Sequence, residues 1–261
     1  MTGYKKISEV TTYMDLQKLL SLTRKGIDTY NLINDGDHIA VGVSAGKDSL
    51  SLLYAMKHLQ RFYPKKYELS AITVDLGLGN LLLDPVKELC RELDVPYYIV
   101  DTRIGEVLFD IRKESNPCSL CAKMRKGALN EKAKEIGANK IAYAHHRDDI
   151  IETMMMSLIF EGRFHSFSPL TYLDKTDLYV IRPFIFIEEK NLISFSKKMN
   201  LPVCKNPCPV DGNTKRQYTK ELLEKIYEEN PGSDKCLFHA LTDAGLKGWP
   251  EAIKNPRYSN K

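Results

Sequence analysis

Residues 41–50 read VGVSAGKDSL, an apolar strand end, three small residues (Ser44, Ala45, Gly46), then Lys47, Asp48 and Ser49 opening a helical stretch. Small side chains let backbone N–H groups approach an anion, and a helix N-terminus adds unpaired donors and the positive end of a dipole. A phosphate is the ligand such a turn predicts. Gly42-x-x-x-Gly46 is one residue short of a Walker A loop, and Lys47 is followed by Asp48 rather than a hydroxyl residue. A carboxylate there suits a metal-bridged pyrophosphate and chemistry at an α-phosphate. Asp75 closes another strand in TVDLGLGN, on the edge where a nucleoside would lie. AHHRDD, residues 144–149, follows a further strand and puts two carboxylates at a helix start, where caps and ligands are both found. Asp149 is the first choice for the metal or acid/base role with Asp148 the cap, and the reverse assignment stays open.

Cysteine spacing supplies a second chemistry. Of six cysteines, four fall in two close pairs, Cys118 with Cys121 and Cys204 with Cys208. In a chain of this size that pattern points to metal or redox chemistry more than to a disulfide framework. Both thiolates of NPCSLCAKMRKG, a loop running into a helix, can reach one metal ion or cluster. Spacing leaves three readings open: a structural zinc on all four thiolates, a redox dithiol, or three thiolates on an iron–sulfur cubane with one iron unligated. Cys90 and Cys236 stand alone and are expected to be buried structural thiols. Arg125, Lys126 and Arg216 could meet RNA phosphates or ATP, though solvated helix faces are the commoner fate of such residues.

These residues need strands and helices in alternation to bring them together. HIAVGV (38–43), ELSAITV (68–74), PYYIV (96–100) and NKIAYA (139–144) read as short buried strands separated by helical stretches such as 48–60 and 84–93. The expected fold class is therefore α/β, a doubly wound, mostly parallel sheet whose ligand sites lie outside the carboxyl ends of the strands. An N-terminal helical segment (1–36, helix within 14–33) precedes a nucleotide-binding domain (37–187) that ends in a hairpin over 172–184. A C-terminal helical region (188–261) follows, with helices at EEKNLISFSKKM and TKRQYTKELLEKIYEEN and a fraying tail.

With 38 Lys and Arg against 34 Asp and Glu, the net charge of +4 permits a polyanionic partner without demanding one. The N-terminus MTGYKKISEV lacks a signal-peptide stretch and no apolar run approaches a bilayer span, so no membrane role and a cytoplasmic location are expected.

The string Ser44-Ala45-Gly46-Lys47-Asp48-Ser49 resembles the SGGxDS signature of the PP-loop ATP pyrophosphatases, which release pyrophosphate from ATP while adenylating a carbonyl oxygen. It departs from that signature at Ala45, where glycine is usual, so a positive φ there would be strained. Taken with VDLGLGN, CSLCAKMRKGAL, AHHRDDIIET, IRPF and NPCPVDGN…KRQ, about residues 20–230 resemble the cluster-dependent tRNA thiolases, nearest the 2-thiocytidine-forming branch, with the 2-thiouridine-forming enzymes as cousins. The zinc-binding cysteine pairs those cousins carry at both chain ends are absent from this sequence.

The resemblance implies that Ser44, Ala45, Gly46, Lys47, Asp48 and Ser49 hold ATP and Mg²⁺, that Asp75, Ala144 and Asp148 complete the nucleotide site, and that Lys47, Asp48 and Asp149 are catalytic. It further implies a [4Fe-4S] cluster on Cys118, Cys121 and Cys208, with Cys204 lacking a counterpart. The implied partners are tRNA and a sulfur donor (a cysteine desulfurase, a sulfur carrier or sulfide), with room for a homodimer. Two rivals share the fold: an amidating or ligating PP-loop enzyme with a four-cysteine structural zinc, and a non-catalytic adenine-nucleotide sensor.

Overall fold

A computed structural model describes residues 14–79, 82–112, 117–204, 208, 214–246 and 249. Asn206, Pro207 and the tail expected to fray lie outside these. Helix α1 (Leu16–Thr29) starts at Asp15, whose carboxylate accepts the Lys18 N–H at 2.7 Å, and buries Leu19, Leu20 and Ile27. It passes close to the chain after the last strand: a Cβ on Gly26 would meet the Pro183 carbonyl oxygen at 2.4 Å, so only glycine allows that approach.

Strands β1 (Asp37–Gly42), β2 (Tyr67–Asp75), β3 (Tyr97–Asp101), β4 (Lys140–Ala142), β5 (Leu170–Leu173) and β6 (Leu178–Ile181) form one sheet in the order β3-β2-β1-β4-β6-β5. All pairs are parallel except β5 with β6. The expected hairpin is present, within three residues of its predicted bounds, and both of its strands join the sheet. Helices α2 (Lys47–Leu59), α3 (Asp84–Glu92), α4 (Ile104–Glu106, continuing as a π-helical turn Val107–Ile111), α5 (Pro117–Glu135) and α6 (Arg147–Glu161) connect the strands. Helices α7 (Glu189–Lys198), α8 (Lys215–Glu229) and α9 (Ser233–Asp243) follow; α9 was not expected.

The larger core packs α1, α2 and α7 against one sheet face through Leu52, Leu53, Met56 and Phe195, while α5 covers the other through Leu129 and Ala133 over Ala40, Ile72 and Ile141. A buried ion pair sets β4 beside β1: Lys140 Nζ lies 2.8 Å from Asp37 and 2.8 Å from the Leu32 carbonyl, and Asn139 donates to the same carboxylate at 2.9 Å. With its remaining valences satisfied, that pair fixes register rather than leaving an orphan charge. Chain connections leave β1 toward β2 on one side and reach β4 on the other, so a crevice opens between the carboxyl ends of β1 and β4.

Two expectations need correction. Cys118 and Cys121 sit in the first turns of α5 itself rather than in a loop before it, so their i,i+3 spacing places them on one helix face. Cys236 is exposed, whereas Cys90 is buried as expected.

Candidate active site

The strand-to-helix turn at the crevice is shaped by its own side chains. The Ser44 N–H donates to Ser49 Oγ at 3.1 Å, and that hydroxyl donates to the Gly46 carbonyl at 3.0 Å. Ala45 has φ +59°, the left-handed value that strains a residue with a Cβ, and it is fully buried. Its carbonyl accepts the Cys204 N–H at 2.9 Å, tying the loop to the chain that follows α7.

A cavity of about 500 Å³ opens from this turn. Ser44, Asp48 and Ser49 line one side, Ile72 and Val74 give an apolar floor, and Ala144, His145 and Asp149 close the far side. Asp48 Oδ2 accepts Lys47 Nζ at 3.0 Å, but Oδ1 is buried with no partner among the described residues. Burial raises the Asp48 carboxyl above its ordinary value, against the pull of Lys47 and His146. Two carboxylates on one cavity, one with an orphan oxygen, are a donor set for a hard divalent cation.

Asp149 belongs to a capping box: its Oδ2 accepts the His146 N–H at 3.0 Å, while its own N–H approaches His146 Nδ1 at 3.4 Å. A neutral Nδ1 accepts that N–H, whereas a protonated one faces Asp148 Oδ2 at 3.6 Å. Burial lowers the affinity of the ring for a proton, but Asp148, Asp149 and Asp48 outweigh it and hold His146 above its ordinary value. His145, by contrast, is pushed down to about 3 by burial and by Arg182, and stays neutral.

Arg182, from the IRPF segment just after β6, is the residue that motif reading quoted without assigning a role. It is buried, donates to the Ser168 carbonyl and to Thr171 Oγ1 at 3.2 Å, and stacks its guanidinium 4.8 Å from the Phe167 ring centre. No carboxylate pairs with it among the described residues, and burial pulls it down to about 10. Lys126, on the same cavity, is lowered by burial and then by Arg182. A buried cation without a carboxylate partner, with the exposed Lys126 ammonium on the same cavity, suits an anion bound between them.

Five expected site residues do not line this cavity: Ala45, Gly46, Lys47, Asp75 and Asp148. Lys47 Nζ lies 3.0 Å from both Asp48 and Glu189 of α7, and these carboxylates outweigh burial to raise it. Asp148 turns away and accepts the Glu189 N–H at 2.8 Å, so it caps α7 instead of α6. Asp75 accepts the Gly77 N–H at 2.9 Å in the turn after β2. Arg216 is spent on α6, 2.8 Å from Glu152 and 3.5 Å from Asp149.

A second, smaller cavity of about 190 Å³ holds Cys118, Cys121 and Cys208 together, walled by Leu78, Leu108 and Phe109. Burial raises the Cys121 thiol; Arg125 opposes this and the other two cysteines add to it. Among the described residues no three His, Cys, Asp or Glu side chains converge as for a single ion. Cys204 lies apart, its Sγ–H donating to the Leu82 carbonyl at 3.0 Å. Ala122 and Arg125 of α5 line both cavities, so one turn of helix separates thiols from nucleotide crevice.

Fold and loop together define a class, the PP-loop proteins, and the PP-loop domain model matches residues 15–226. The tRNA-cytidine(32) 2-sulfurtransferase of Geobacter sulfurreducens is 35% identical over 228 residues, 86% of this chain and 89% of the relative. That of Citrifermentans bemidjiense is 37% identical over 222 residues, 84% of this chain and 87% of the relative. The chain belongs to the tRNA-cytidine(32) 2-sulfurtransferase family, which bears out the motif resemblance. Among solved structures, the U34-tRNA thiolase NcsA from Methanococcus maripaludis with its [4Fe-4S] cluster shares the fold, with a TM-score of 0.70 at 24% identity over 88% of this chain and 79% of that one.

Proposed function

We propose that this protein is an ATP-dependent tRNA sulfurtransferase that adenylates the C2 carbonyl of a cytidine and replaces that oxygen with sulfur. The observation that carries the reading is the shared wall: a phosphate-binding turn with two carboxylates on one side of α5, and a cavity of three cysteines on the other. The names of the curated relatives point to the same substrate class.

In this reading the N–H groups of the Ser44–Ser49 turn and the start of α2 hold the β,γ-pyrophosphate. Asp48 and Asp149 would hold Mg²⁺, which when bound supplies charge neutralisation for the departing pyrophosphate. Arg182 and Lys126 offset charge as the carbonyl oxygen attacks the α-phosphorus and pyrophosphate departs. Lys47 must exchange Glu189 for phosphate to join them. Cys118, Cys121 and Cys208 would hold a [4Fe-4S] cluster, which fits a cavity lined by three thiols and no fourth; when bound it supplies an iron free of protein ligands that can carry sulfur. Arg125, facing both cavities, favours the thiolate form and keeps positive charge on the path between them. Sulfur attack at C2 then expels AMP. Sulfur comes from a cysteine desulfurase, a carrier protein or sulfide, the compartment is the cytoplasm, and a homodimer is compatible with all of this. No helix among the described residues is long and apolar enough to cross a membrane.

The test combines metal content with product. Anaerobically reconstituted Cys204→Ala should keep wild-type iron, whereas Cys208→Ala should lose iron and sulfur transfer together, and thiocytidine should vanish from the tRNA of a deletion strain. A single zinc weakened equally by either substitution, with unchanged thionucleosides in the deletion strain, would establish the ligase rival instead.

A further inference from the structure

The end of α6 and the start of α8 leave large apolar rings uncovered. Phe160, Phe164 and Tyr218 are 39%, 40% and 56% exposed. The Phe160 and Tyr218 rings lie 6.1 Å apart at 60°, so their faces diverge rather than cover one another. Lys215 Nζ stands 4.9 Å from the Phe160 ring centre, and Arg163, beside Phe164 in sequence, is solvent-facing in an exposed pair with Glu161 at 2.7 Å that a phosphate would replace. Aromatic faces interleaved with cations are what single-stranded RNA takes: bases stack on rings and phosphates meet Lys and Arg.

Three consecutive residues tie this patch to both cavities. Thr214 lines the thiol cavity, the Lys215 ammonium approaches the Phe160 ring, and Arg216 reaches Asp149 at the nucleotide cavity. Along α6 the eleven steps from Asp149 to Phe160 rise about 17 Å, a distance a few extended nucleotides bridge. We propose that Phe160, Phe164 and Tyr218, with Lys215 and Arg163, form a stacking platform for unpaired RNA nucleotides flanking the one under modification. This rests on the thiolase reading and names where its RNA docks. An RNA occupant fits better than a second copy, because a two-fold contact through the patch would press Lys215 toward its own counterpart.

Anisotropy titration of a labelled tRNA transcript tests it. The pair Phe160→Ala with Tyr218→Ala should weaken tRNA by about 10- to 100-fold, as lost base stacking would. ATP affinity should not move, which also reports that the variant is folded. Lys215→Ala should flatten the salt dependence of binding by about one unit of log–log slope. An unpaired RNA oligonucleotide should compete with the transcript, and a fully paired RNA duplex should not. If wild type binds tRNA and the double variant binds it equally, the platform is wrong while the thiolase reading stands. A shift from dimer to monomer at unchanged tRNA affinity would make the patch a protein interface. A wild type that binds no tRNA overturns the thiolase reading, and the platform with it.

Discussion

Ala45→Gly isolates a strain that the fold carries at its ligand-binding turn. At φ +59° an L-residue costs about 1–2 kcal/mol relative to its preferred conformations, and glycine removes that cost. Against this, glycine loses roughly 0.5–1 kcal/mol more conformational freedom on folding. Ala45 is fully buried, so losing its methyl forfeits about 0.8 kcal/mol of burial. The three terms nearly cancel, and the net change should stay within about 1 kcal/mol, a shift of no more than about 4 °C in midpoint for a chain of this size. The comparison that gives this meaning is Ala55→Gly, also fully buried but inside α2. There no strain is relieved, and roughly 1 kcal/mol of helix propensity adds to the lost methyl for a total near 2. Guanidinium unfolding of the ligand-free proteins, followed by circular dichroism and fluorescence together, reads both. Should Ala45→Gly lose as much as Ala55→Gly, the strain at the turn is not there.

Three further outcomes follow from the electrostatics. Asp48→Asn should raise the unfolding midpoint of the ligand-free protein near neutral pH, because burial disfavours the ionised form, while abolishing the Mg²⁺-dependent part of nucleotide affinity; a lower midpoint with intact Mg²⁺ dependence would contradict both. His146 has its folded pKa raised above 6.5, so its stabilisation is complete below 6.5 and is lost as pH rises through the folded value. The midpoint gap between wild type and His146→Gln should therefore be widest on the acid side and narrow with rising pH, and a gap that widens toward alkaline pH has the wrong sign. Arg182→Met should weaken ATP by about 10- to 150-fold, the worth of a charge-assisted hydrogen bond, with iron uptake unchanged; equal ATP affinity would remove Arg182 from the site.

What motif and periodicity can and cannot locate is visible residue by residue. The Ser44–Ser49 turn was legible because its function lies in local geometry: strand, small residues, helix start. The strain at Ala45 was legible for the same reason. Asp75 was placed correctly at a strand end, but successive strand residues face opposite sides, and it is Ile72 and Val74 that line the cavity. Asp148 and Asp149 are neighbours on a helix whose roll is set by the burial of Ile150 and Ile151 and by the His146 cap, so which carboxylate meets the crevice depends on packing that adjacency does not encode. Arg182 follows the same logic. Its charge is significant because β6 pairs with β4 and carries the guanidinium into the crevice between β4 and β1, a strand order that hydrophobic patterning leaves open. The cysteines sharpen the point. Spacing alone does not rank Cys204 against Cys208, and only the motif resemblance favours Cys208; the packing gives the reason, because the Cys204 N–H bonds the strained Ala45 carbonyl and its thiol donates to Leu82, which holds it at the back of the PP-loop. Four residues beyond that anchor, Cys208 meets Cys118 and Cys121 in the thiol cavity. The residue that reads as a spare ligand is therefore a tether on the PP-loop.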